Sequence, residues 1–223
     1  MDEYSIQRRL FTEFIGTLLL TYTVCITAVW GSSGGIHPGF LIATILMVMI
    51  YCLGHISGAH FNPTVTVSIW INGSFKRGDV FPYAVSQLVA GVSGAILSGL
   101  TYSRQNIQAK TEPESLLLNS EIHEVLLSEF AFTFALVYVI LYVAFNEGTS
   151  GNHYYGVAIA SVVLIGAILV GDVSMASFNP AVTISLISVG KLTITQSWMH
   201  LIPQLAAGPF AAWVYSRRIA TNA

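Results

Sequence analysis

A sixteen-residue motif occurs twice in this chain, 117 positions apart, and each copy interrupts an otherwise apolar run at the same place. Gly-His-Ile-Ser-Gly-Ala-His-Phe-Asn-Pro-Thr-Val-Thr-Val-Ser-Ile spans 54–69, and Gly-Asp-Val-Ser-Met-Ala-Ser-Phe-Asn-Pro-Ala-Val-Thr-Ile-Ser-Leu spans 171–186. Nine of the sixteen aligned positions are identical, including Asn62-Pro63 and Asn179-Pro180. Hydrophobic segments broken in matching places of two halves point to a membrane conduit whose site lies where the repeats meet. Charge supports a bilayer setting: 9% of residues are charged, against roughly 25% in a soluble domain, and 54% are hydrophobic. A net charge of −2 gives no basic surface for nucleic acid. Cys25 and Cys52 both fall inside apolar runs and are expected as buried free thiols, with neither a disulfide nor a metal site.

A membrane span needs about 20 apolar residues, and six candidates stand at roughly 10–30, 39–54, 80–100, 122–144, 154–170 and 196–216. The first follows Arg8-Arg9 but lacks a small-residue cleavage site, so it is expected as a retained span. The Asn-Pro segments lie between spans two and three and between spans five and six. Each opens about ten moderately apolar residues, 61–71 and 178–188, or about 15 Å of helix against a ~30 Å hydrocarbon core. Pro63 and Pro180 suit a first helical position, with Asn62 and Asn179 as the caps before them. The residues preceding each Asn are then non-helical backbone at membrane depth, tolerated only inside protein or along a watery cavity.

The repeat extends beyond the motif. Glu13-Phe14 matches Glu129-Phe130, and Gln87-Leu88 with Gly91 matches Gln204-Leu205 with Gly208. Three spans per repeat is odd, so the two copies are inverted. Arg8, Arg9, Lys76, Arg77, Arg217 and Arg218 fall on one side, and Arg104, Lys110 and Lys191 on the other. The richer side is expected to be cytoplasmic, with both termini on it. The fold class is therefore an all-α integral membrane protein: six transmembrane helices plus two half-helices in an inverted repeat. A single membrane domain, 1–223, would hold repeat one at about 10–100 and repeat two at about 122–216.

Inverted half-helices meet N-terminus to N-terminus, each end carrying about half a positive charge and free N–H donors. The two Asn amides can donate to a passing solute, while the preceding backbone carbonyls accept from it. A cation at ~4 Å and effective dielectric ~20 is repelled by roughly 2 kcal/mol per half-helix, so the design favours uncharged solutes.

These residues resemble the aquaporin (major intrinsic protein) family over 10–216: its paired Asn-Pro-Ala boxes match Asn62-Pro63-Thr64 and Asn179-Pro180-Ala181, and His55-Ile56-Ser57-Gly58-Ala59-His60 resembles its lead-in. The resemblance implies a homotetramer in the cell membrane with one pore per subunit. It also implies a four-membered constriction, which maps by spacing to Ile42, Ala167, Ala176 and Val182. Here the chain departs from the family, which usually places an Arg at the position of Val182. Water-selective members carry an aromatic and a His at the first two positions, and glycerol facilitators an Asp where this chain has Thr183. Met175 takes a loop position usually held by Gly, and its side chain is expected to refill some of the space at the constriction.

The expected function is passive permeation of water and small uncharged solutes (ammonia, urea or small polyols) through a widened, apolar constriction. Losing an Arg at ~6 Å removes about 3 kcal/mol of cation repulsion at dielectric ~20. Apolar rings also gate by dewetting, so width alone does not ensure fast water flow. Two other readings stand beside this one: a secondary transporter using broken helices, and a closed-pore structural membrane protein.

Glu13 and Glu129 are expected to brace the half-helix loops as a symmetric pair rather than to move protons. His60 is expected to pack in its loop; it and His55, nearer the vestibule, are the gating candidates. His37, His123, His153 and His200 read as ordinary residues near span ends, and Trp30, Trp70, Trp198 and Trp213 as interfacial anchors. Segment 101–121 reads as an exposed outer loop, and Gly91, Gly94, Gly99 and Gly208 as close-packing positions. No phosphate loop, zinc spacing or nucleophile–base pair is present, so neither a cofactor nor an enzyme activity is expected.

Overall fold

The computed structural model describes residues 4–102 and 120–219, and the described residues form helices joined by short connections. In chain order these are α1 (Ile6–Val24), α2 (Pro38–Ser57), α3 (Pro63–Ile71), α4 (Arg77–Thr101), α5 (Ile122–Ala144), α6 (Tyr155–Ser174), α7 (Pro180–Ser188) and α8 (Trp198–Ile219). A π-helical turn, Cys25–Val29, continues α1, and a short 3-10 turn, Glu147–Thr149, follows α5. The outer loop with Arg104, Lys110, Glu112 and Glu114 lies outside the described residues.

Local chemistry sets the ends of these elements. His37 caps α2 by accepting from Gly39 N at 3.1 Å, with Pro38 at the first position. The helix runs past Gly54-His55, where the sequence suggested an end, and stops at Gly58, which is left-handed at φ 90°. Its repeat mate α6 likewise continues beyond 170 and stops at a left-handed residue, Met175. The fifth span is thus 20 residues, a full crossing, where the sequence suggested a short one. A capping box between Glu121 and Glu124 starts α5.

Helix α1 packs on α4 as α5 packs on α8, and α2 packs on α6 between the repeats. Each half-helix crosses over: α3 lies on α8 and α7 on α4. Two glycines permit that approach. A Cβ on Gly91 would sit 2.5 Å from the carbonyl oxygen of Ala181, and one on Gly208 would collide with Thr64 and Ser68. Gly94 lies against Thr21 and Tyr22 of α1, whereas Gly99, expected at a packing position, faces open space.

Five helices (α1 with its π-turn, α2, α4, α5 and α6) are long and apolar enough to cross a bilayer. The 22-residue α8 has the length but carries the buried polar side chains His200 and Gln204. Along α4, Phe81, Val85, Val89, Ile96 and Leu100 are exposed, an apolar stripe that water would not tolerate and lipid does. Trp198 and Trp213 are exposed, as interfacial anchors would be. Trp30 is not: it is buried, its Nε1 donating to Ser98 Oγ at 3.1 Å. Both cysteines are free thiols; Cys25 is buried as expected, whereas Cys52 is exposed on α2, where an apolar run does not tell a lipid-facing position from an inward one.

The glycine contacts generate a paired test. Gly91→Ala must displace a backbone oxygen and should lower the thermal unfolding midpoint in detergent. Gly99→Ala meets nothing and should leave it unchanged or raise it, by up to about 1 kcal/mol of helix propensity.

Candidate functional site

The site begins with two carboxylates. Glu13 and Glu129, on α1 and α5, are fully buried. Glu13 Oε1 accepts from Ser57 Oγ at 2.7 Å and His60 N at 3.0 Å, and Oε2 from Phe61 N at 2.7 Å and Gln87 Nε2 at 2.8 Å. Glu129 repeats the set with Ser174 Oγ, Ser177 N, Phe178 N and Gln204 Nε2, at 2.8, 3.0, 2.8 and 2.8 Å. Each carboxylate thus binds a helix end, a loop backbone and a third helix at once.

The two loops carry strain that these bonds hold in place. Among the described residues, every non-Gly residue with positive φ lies in one loop or the other: Ala59 and Phe61, then Met175, Ala176 and Phe178. Such residues cost of order 1–3 kcal/mol each unless their surroundings over-determine them. Besides the carboxylates, the Phe61 ring sits against Gly16, and the Phe178 ring sits against Gly166 and stacks on Phe132. The winding leaves the carbonyls of Gly58, Ala59 and His60, and of Met175, Ala176 and Ser177, with no hydrogen-bond donor among the described residues. Both segments line the main cavity, so they bring acceptors to its wall.

The half-helix caps meet at the centre. Asn62 Oδ1 accepts from Thr64 N at 2.9 Å and Val65 N at 3.4 Å, and Asn179 Oδ1 from Ala181 N at 2.9 Å. Asn62 Nδ2 donates to Phe178 O at 3.0 Å and Asn179 Nδ2 to Phe61 O at 2.9 Å, so each cap is tied to the other repeat's loop. One N–H of each amide is thereby spent on the fold, and the second remains for a solute. Both asparagines line the cavity; Pro63, Thr64, Pro180 and Ala181 do not. Thr64 is buried at the α3–α8 contact beside Gly208, so its difference from Ala is absorbed in helix packing.

A cavity of about 1080 Å³ is lined by both asparagines. It reaches His37, Lys191 and Glu124 towards one face, and His55, Tyr155 and Phe145 towards the other.

Ile42, Ala167, Ala176 and Val182 all line the cavity, with Val182 packed against Val24, Leu186 and Leu192. Sequence reasoning did not single out their repeat mates. Ile159, Ile50, Ala59 and Val65 stand 117 positions from those four and line the same cavity. The repeat offset alone could have found them. Glu13 and Glu129 are absent from the wall.

The histidines divide. His60 is buried against Phe75 and Tyr83, with Nδ1 3.1 Å from Thr66 Oγ1, and His55 stands exposed at a mouth. His200, read from sequence as a span-end residue, is fully buried. Its Nε2 donates to Ser174 O at 2.8 Å, the role that Tyr83 OH has on Ser57 O at 2.9 Å.

The chain matches the family described as major intrinsic protein over residues 1–153 and again over 142–221. It is 30% identical to aquaporin NIP1-4 of Oryza sativa subsp. japonica over 218 residues, covering 96% of this chain and 77% of that protein. It is 31% identical to aquaporin NIP1-2 of Arabidopsis thaliana, covering 94% and 73%, and 30% identical to nodulin-26 of Glycine max, covering 94% and 77%. Its fold is similar to that of the aquaglyceroporin from Plasmodium falciparum, with a TM-score of 0.80, 20% identity, and coverage of 96% and 97%.

Glu129→Gln turns an NH₂ towards groups that already donate. It should cost at least about 2 kcal/mol, seen as a lower unfolding midpoint in detergent, together with loss of solute flux in liposomes.

Proposed function

Because the chain belongs to the major intrinsic protein family, we propose that its wide apolar constriction passes small uncharged solutes larger than water. The chain is an integral, multi-pass membrane protein, a passive channel for water and small solutes and not an enzyme. Urea, ammonia and small polyols are the finer reading, and one observation carries it. One cavity is lined by both asparagines and by the four residues that the family's constriction maps to, Ile42, Ala167, Ala176 and Val182, which bring no charge, ring or side-chain hydrogen bond.

A solute dehydrating there regains hydrogen bonds at the centre, from the free amide N–H of Asn62 and Asn179 and to the loop carbonyls. A cation meets the two half-helix N-termini instead, roughly 2 kcal/mol of repulsion each at ~4 Å and dielectric ~20. Without an Arg at position 182 that is the main barrier, so cation exclusion is weaker than in relatives that keep one. Ion-coupled transport is disfavoured because Glu13 and Glu129 carry four hydrogen bonds each and stand off the cavity wall. Their role is to hold the loops, and His60 packs behind one of them. The chain sits as one domain of two inverted repeats in the cell membrane, as a homotetramer, with both termini cytoplasmic on the side of Arg8, Arg9, Lys76 and Arg77.

Stopped-flow light scattering on proteoliposomes tests this, comparing water, urea and glycerol, with ammonia followed by internal pH. Protein-dependent urea and glycerol flux is expected, and Val182→Arg should cut it by about tenfold or more through lost width and an added charge. Fast water flux with no solute flux, unchanged by the Arg, would place the constriction elsewhere.

A further inference from the structure

The two repeats wind their loops alike but differ at the residue that begins each turn. Gly58 closes α2 at φ 90° and ψ −7°, and Met175 closes α6 at φ 59° and ψ 8°. Both donate their N–H four residues back, to Gly54 O and Gly171 O, each at 2.9 Å. Glycine adopts this left-handed backbone freely, whereas a residue with a Cβ is strained in it. Nothing in the turn needs the methionine, so any compensation has to come from its side chain.

That side chain is partly buried in the outer half of the channel. It packs, with Ile42, against Val24, Val182, Leu186 and Leu192, and Met175 lines the cavity. The two sets of repeat-related wall residues show what it adds. Ile159, Ala59 and Val65 in one set correspond in kind to Ile42, Ala176 and Val182 in the other. The fourth position differs: Ile50 in the first set, Ala167 in the second. The second set therefore lacks most of one side chain, and it is in this repeat that methionine replaces glycine, next to Ala176.

We propose that Met175 is a size-determining residue of the channel. Its thioether chain stands at the cavity wall with Ile42, over the cluster that holds Val182, and narrows the passage there. An unbranched, flexible side chain suits that place, because it narrows the passage without making its wall rigid. The assignment rests on the reading of this chain as a passive channel with a constriction at Ile42, Ala167, Ala176 and Val182.

The test is a solute-size series (water, urea, glycerol and erythritol) on proteoliposomes holding the wild type, Met175→Gly, Met175→Ala or Met175→Leu, with Val182→Arg alongside. Gly removes both the side chain and the strain, so this variant should unfold no earlier than the wild type. Ala makes the same truncation on the strained backbone, and Leu keeps most of the bulk. The glycerol-to-urea and erythritol-to-urea flux ratios should rise about threefold or more for Gly and Ala and stay near the wild-type value for Leu. Ratios unchanged in Gly and Ala while Val182→Arg still reduces solute flux would overturn the role of Met175 and leave the channel reading standing. No flux above empty liposomes from folded wild type would remove the channel reading, and this inference with it.

Discussion

The paired carboxylates of Glu13 and Glu129 hold this molecule's centre together. Each accepts four hydrogen bonds, two from backbone N–H groups of a strained loop and two from side chains on neighbouring helices. A buried carboxylate is expensive unless its acceptor sites are filled, and here the loops supply the donors. The same bonds keep Ala59, Phe61, Ala176 and Phe178 in left-handed backbone, which leaves carbonyls at the cavity wall without donors. Stability and permeation therefore share one set of contacts.

The asparagines work on the same economy. Each uses its oxygen to cap its own half-helix and one N–H to fasten the other repeat's loop. What remains is a single donor per amide, set beside two positive helix ends. That arrangement rewards a solute able to accept a hydrogen bond and penalises one that arrives with a positive charge. The cavity wall on either side of the asparagines is largely aliphatic, with Ile42, Val182, Ile50 and Val65 among its residues.

Much of this was legible in the residues. Proline at a first helical position, asparagine before it and a length too short to cross are local facts, and the half-helices Pro63–Ile71 and Pro180–Ser188 start where that chemistry put them. The repeat also paired Glu13 with Glu129, and Gln87 with Gln204, by identity alone. Tyr83 and His200 escaped such pairing because two different residue types make the same bond to a helix-end carbonyl. Trp30 escaped because a tryptophan near a span end reads the same whether its indole meets lipid headgroups or Ser98.

Sequence sufficed for the bilayer setting, the inverted duplication and the interrupted spans, since each follows from composition, parity or backbone chemistry that needs no neighbour. Which apolar residues wall the cavity is another matter. Helices such as α2 and α6 are apolar nearly all round, so a 3.6-residue period cannot separate a face turned to lipid from one turned inward. Ile50 and Ile159 follow from Ala167 and Ile42 by the repeat offset, but that α2 and α6 turn them to the cavity is decided by the packing of the two helices. At Met175 the sequence already marked the residue as one that stands where Gly is usual, but its left-handed backbone and its packing with Val182 exist only in the assembled loop.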